Sequence, residues 1–224
     1  MSQLSYAPHR LETNVTTWVE NPRGGRDRGP RGIVRAWAEV LFRPRRFFHN
    51  GVAPGDQAPG LVFGVLVALC YVGGILWFTP ERVLELTPDT GFVPLLAGSR
   101  SATSLLFLVA ITLFVAPATM HLLGALQTLF LIATVRDRAG VSETVQTIAY
   151  AAAPCVLAGY PSPTLRVLCA VYGAILLVVG LSVVHRTSLV RASVAGALPA
   201  TILFGYGFGG VAAATTLLQA AGVL

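Results

Sequence analysis

From Ser101 to Val135 the chain runs through thirty-five residues without an aspartate, glutamate, lysine or arginine. A soluble helix needs a polar face for water, and this stretch has none. A bilayer core of about 30 Å is crossed by about 20 apolar helical residues, so the run is long enough for one span with residues to spare. Pro117 lies near its middle, and the flanking VAPATM (Val115 to Met120) holds no Gly, Asn or Asp that would turn the chain back. One long helix, kinked at Pro117 and protruding at its end, is therefore expected.

Four more apolar runs accompany it, at about 61–78, 144–158, 164–184 and 192–221. The run at 144–158 is short for a span and is expected to be shielded by its neighbours. Of all 224 residues, 54% are hydrophobic and only 12% charged, against about a quarter charged in soluble domains. The fold class is all-α integral membrane, with five transmembrane helices over 51–224.

Charge sets the expected orientation. Nine arginines precede residue 47, and Arg136, Arg138, Arg186 and Arg191 fall in the loops of the same side. The opposite loops hold only Arg82, Arg100 and Arg166, with Glu81, Glu85 and Asp89 beside the first. Five spans with a cytoplasmic N-terminus and an outside C-terminus satisfy the positive-inside rule at every loop, whereas six spans would place the second arginine group outside. All sixteen basic residues are arginine, a usage expected of a GC-rich prokaryotic genome. The first sixty residues contain no apolar core of the signal-peptide type, so the mature chain is expected to begin at or near Met1.

Ahead of the spans, residues 1–32 read as a flexible Arg-, Gly- and Pro-rich tether. At 33–50 the apolar residues Ile33, Val34, Trp37, Val40 and Leu41 recur at helical spacing, as in a short amphipathic interfacial helix. Pro44 should end that helix or start a new turn. In RPRRFFHN, Arg43, Arg45 and Arg46 can engage anionic headgroups while Phe47 and Phe48 enter the headgroup boundary. So close to a span, this basic stretch does not read as a nucleic-acid site.

Within the spans polar side chains are few. His121, Gln127, Gln146 and Tyr150 form a possible intramembrane polar site, and such residues tend to face the bundle interior or a cavity. Gln146, Tyr150 and Pro154 share one helical face, which reads first as interhelical glue. Gly205 and Gly209 make a G-x-x-x-G face for close helix packing; the overlapping G-x-G-x-x-G in GYGFGG lacks the βαβ setting a dinucleotide would need. Cys70, Cys155 and Cys169 lie in apolar runs with no metal-ligand spacing. No catalytic motif is present, and neither enzyme activity, cofactor nor metal is expected.

The order of three stretches resembles the Yip family of membrane proteins. They are LFRPRRFFHN (Leu41 to Asn50) before the first span, HLLGALQTLF (His121 to Phe130) ending the second, and IAYAAAPCVLAGYPS followed by YGAILLVVGLSVVHRTSLVRA (Ile148 to Ala192). The resemblance covers about 35–205 and implies five spans with a cytoplasmic N-terminus. Eukaryotic relatives act in vesicle traffic and bind small GTPases through a longer N-terminal region. With only a short tether here, small GTPase binding rests on analogy alone.

The expected role is that of a non-enzymatic multi-pass protein of a prokaryotic plasma membrane, organising or binding membrane lipids, other membrane proteins or a second copy. The rival is a small transporter or lipid-moving protein with a cavity at His121, Gln127, Gln146 and Tyr150.

Overall fold

A computed structural model describes residues 29–80 and 99–224. The tether before residue 29 and the loop carrying Arg82, Glu81, Glu85 and Asp89 lie outside the described residues. Among those described, every regular element is helical.

The amphipathic segment forms two helices, α1 (Pro30–Phe42) and α2 (Pro44–Asn50), hinged at Arg43. Each begins with proline in its first turn, where a missing N–H costs nothing. Then come α3 (Ala58–Phe78) and the long α4 (Ser101–Thr134). Pro117 lies within α4, but the distortion precedes it: Ile111–Val115 is wound as a π-helix. A proline ring crowds the carbonyl four residues back, here that of Leu113, and the wider π turn makes room for it. The expected single long helix is thus seen, eased by a π segment ahead of the proline.

The third apolar run is α5 (Val141–Ala151) continued by a 3₁₀ turn, Ala153–Leu157. Every residue from Thr144 to Ala151 is buried, and α5 packs on α3, α4 and α6 (Pro163–Val184). Its course is fixed by α3. A Cβ on Gly60 would lie 2.8 Å from the Gln146 Cα, and one on Gly74 would lie 3.1 Å from the Gly159 Cα. Gly60, Gly64 and Gly74 share one face of α3, and the third run lies along it in the same direction. It keeps pace with fourteen residues of α3, about 21 Å of rise.

The last run is α7 (Leu189–Ala200), a π segment Thr201–Gly207, a break at Phe208 and Gly209, and α8 (Gly210–Ala220). Among the described residues, four helices are long and apolar enough to cross a membrane: Ala58–Phe78, Ser101–Thr134, Pro163–Val184 and Leu189–Gly207. Their apolar surface remains turned outward, with Leu122, Leu129, Leu168 and Val194 all more than 60% exposed. The centre is filled by α5, the one element short on length but covered on all sides.

Candidate functional site

The stretch from Arg43 to Phe48 divides cleanly by side chain. Arg43 and Arg45 are exposed and Arg46 is half-buried, with its Nε enclosed and unpartnered. Phe47 and Phe48 are 0% and 1% exposed. Their rings, expected to lie in the headgroup boundary, are covered by the bundle itself. Phe47 meets Tyr150 edge-on at 4.8 Å between ring centroids, and Phe48 fills the notch left by Gly180, whose missing Cβ would sit 2.9 Å from the Phe48 Cζ. Such aromatic pairs add about 1 kcal/mol beyond their buried area.

Two further hydrogen bonds pin α1. The Trp37 indole donates to the Ala153 carbonyl at 2.9 Å, and the Tyr172 hydroxyl donates to the Leu41 carbonyl. Both acceptors lie where a helix ends or tightens and carbonyls lose their regular donors. Neither Trp37 nor Tyr172 stands out from spacing, because an amphipathic pattern does not say whether lipid or protein covers the apolar face.

The four intramembrane polar residues occupy separate environments. Gln146, fully buried, clamps the loop before α3: its Oε1 accepts from the Ala53 N–H at 3.0 Å and its Nε2 donates to the Ala53 carbonyl at 2.7 Å. Tyr150 is enclosed by Phe47 and Phe63, the second at 5.2 Å. Gln127, also fully buried, donates to the Ala195 carbonyl at 2.9 Å. His121 is exposed on α4 and its Nδ1 donates to the Pro117 carbonyl at 2.8 Å. These residues are not gathered round one cavity. Gln127, Gln146 and Tyr150 serve as packing and hydrogen-bonding glue, and His121 satisfies itself on its own helix.

The expected G-x-x-x-G face is not formed. Gly209 has φ +71, a left-handed conformation that ends the helix, so Gly205 and Gly209 belong to no common helical face. Close approach falls instead to Gly210, where a Cβ would sit 2.7 Å from the Ala170 Cβ.

At the end of the bundle carrying the α4–α5 and α6–α7 connections lie Arg136, Arg138, Arg186 and Arg191, with His185 beside them. Arg138 lines one pocket with His49, Asp137, Glu143 and Arg186. Arg136, Asp137, His185, Arg186, Thr187 and Arg191 line an adjoining one of about 690 Å³. His185 is 1% exposed. Its Nδ1 accepts from the Ala139 N–H at 3.2 Å, which leaves the proton on Nε2, 3.4 Å from the Thr144 hydroxyl. Burial, with Arg138 nearby, pushes its pKa from 6.5 down to about 4, so the ring is neutral at neutral pH.

No group of three or more His, Cys, Asp or Glu that would hold a metal occurs among the described residues. What this end of the bundle offers is guanidinium groups and hydrogen-bond donors, a chemistry for anions. The Yip1 domain family model matches residues 38–211, from within α1 to the first turn of α8. No curated protein and no solved structure matches the chain.

Proposed function

The chain belongs to the Yip1 domain family of membrane proteins, and from that membership we propose a non-enzymatic protein that organises its membrane by binding anionic lipid, and protein partners, on its cytoplasmic face. The setting we propose is a prokaryotic plasma membrane. Five crossings put the N-terminus and both basic loops in the cytoplasm and the C-terminus outside. The positive-inside distribution favours this topology, as does the parallel course of α3 and the third run.

The observation that carries the reading is the division within α2. Phe47 and Phe48 are locked into the bundle, so the neighbouring Arg43 and Arg45 are presented at a fixed height beside it. Each basic residue near an anionic surface contributes about 1 kcal/mol, and one held in place spends little ordering entropy on contact. The glue-like roles of Gln127, Gln146 and Tyr150 favour this reading over a transporter.

The test uses the full chain in nanodiscs of phosphatidylcholine containing phosphatidylglycerol. Replacing Arg43, Arg45 and Arg46 together by Gln should reduce the phosphatidylglycerol retained on extraction, as read by native mass spectrometry. Unchanged retention in a folded variant would sink the reading.

A further inference from the structure

The pocket between the α4–α5 and α6–α7 connections carries a more specific assignment. It rests on the reading that this face meets anionic membrane components, and it concerns residues other than those of α2. We propose that this pocket binds a phosphate-bearing anion, a lipid headgroup or a soluble phosphate, between the guanidinium groups of Arg136, Arg186 and Arg191.

Charge is the first observation. Three arginines line the pocket and Asp137 supplies one carboxylate, so the site keeps a net positive charge. His185, neutral and bonded to the Ala139 N–H, forms part of the wall and does not compete for the anion.

Backbone conformation is the second. Arg186 has φ +49, the single non-glycine residue with positive φ among those described. At a helix end this position is ordinarily glycine or asparagine, and a bulky side chain there costs about 1–2 kcal/mol. Strain of this kind persists where the surroundings enforce it and is concentrated at ligand sites. The turn enforces it here: Thr187 N–H donates to the Ser182 carbonyl at 3.0 Å, and the Ser182 hydroxyl donates to the Thr187 carbonyl at 2.8 Å. The result aims the Arg186 side chain from a rigid turn.

The third observation is two unmet electrostatic demands at the same place. The Thr187 hydroxyl oxygen is enclosed without a partner, although it lines the pocket. Arg191 stands in the first turn of α7, which has no acidic residue. A cation there opposes the helix dipole; an anion in the pocket would satisfy the cation, the dipole and the hydroxyl together. Arginine pairs with phosphate through two parallel N–H bonds, which suits a phosphate monoester or diester better than a halide.

Arg186→Gly is the decisive variant, because it removes the guanidinium while relieving the left-handed backbone. Purified full-length protein in neutral detergent is melted in inorganic phosphate and in chloride at matched ionic strength. In parallel, phosphatidylglycerol retention from nanodiscs is measured. The parent should gain melting temperature in phosphate, retain phosphatidylglycerol selectively, or both. Arg186→Gly should melt no lower than the parent in chloride, yet bind at least about tenfold more weakly, as for one lost charge-assisted hydrogen bond. A phosphate effect alone identifies a soluble ligand, and a retention effect alone a lipid headgroup. Absence of both in the parent, or equal binding by Arg186→Gly, overturns the proposal. The Arg43, Arg45 and Arg46 triple variant keeps the two readings apart: the Arg186-dependent binding should survive in it, even if its own lipid retention is unchanged.

Discussion

Gln127 donates its side-chain amide to the carbonyl of Ala195, 2.9 Å away, and Pro199 stands four residues after that carbonyl, inside α7. In a regular helix residue 199 would supply the donor; a proline cannot. In apolar surroundings an unmet carbonyl is expensive, and a neighbouring helix can meet it. Gln127→Leu should therefore destabilise the bundle by about 1–3 kcal/mol, read from unfolding in mixed micelles. In a Pro199→Ala background, where the backbone N–H returns, the same substitution should cost clearly less. Equal costs in the two backgrounds would refute the pairing.

The contact of Phe48 with Gly180 leads to a second double-mutant test. A Cβ at 180 would lie 2.7 Å from the Thr147 Cγ2 and 2.9 Å from the Phe48 Cζ. Gly180→Ala should cost about 1–3 kcal/mol, as overpacking of a filled core does. Phe48→Leu removes part of the obstruction, so the double variant should be more stable than the sum of the single losses implies. Strict additivity would mean that α2 does not dock at Gly180.

How far these contacts were legible beforehand differs by element. The helices α3, α4 and α6 announce themselves through length and apolarity, since crossing a bilayer demands both. For α4 the single-helix expectation followed from the absence of turn residues round Pro117. The docking of α1 and α2 was hidden for a physical reason: Ile33, Trp37 and Val40 make the same apolar stripe whether lipid or protein covers it. Gly60, Gly64 and Gly74 on α3, and Gly180 on α6, are the signals that a close neighbour was needed, and they outweigh the more conspicuous Gly205–Gly209 spacing. The polar residues misled in another way. Gln127, Gln146 and Tyr150 do face inward, but each to a separate neighbour: the Gln146 amide is bonded at both its atoms, as a buried amide needs, whereas Gln127 is bonded through Nε2 alone. The basic pocket was half legible: Arg136, Arg186 and Arg191 were visible as charges, while the backbone strain at Arg186 is a property of conformation alone.

A third prediction separates a helix break from a helix-packing face. Gly209 has φ +71 and ordinary contact distance, 3.4 Å, to the Arg166 Cδ from an added Cβ. Conformation rather than space is the constraint. Gly209→Ala should then cost about 1–2 kcal/mol, and Gly209→Asn less, since asparagine tolerates the left-handed region. On a continuous G-x-x-x-G face the order would reverse, the larger asparagine being the more damaging. Thermal unfolding of the two variants in one detergent decides between them.

Acidification should act through His185. The folded protein holds this imidazole neutral, with its pKa lowered from 6.5 to about 4 by burial and by Arg138. Between those values the unfolded chain binds a proton that the folded chain refuses, so stability falls as pH falls. The contribution is fully present above pH 6.5 and is lost progressively on the way down to about 4. The loss is on the order of 3 kcal/mol, at 1.36 kcal/mol for each pKa unit. His185→Gln has no proton to gain there and can still accept from the Ala139 N–H. Its unfolding free energy should therefore vary less than the parent's across that window, and parallel pH profiles for the two proteins would show that His185 titrates as freely in the folded chain as in the unfolded one.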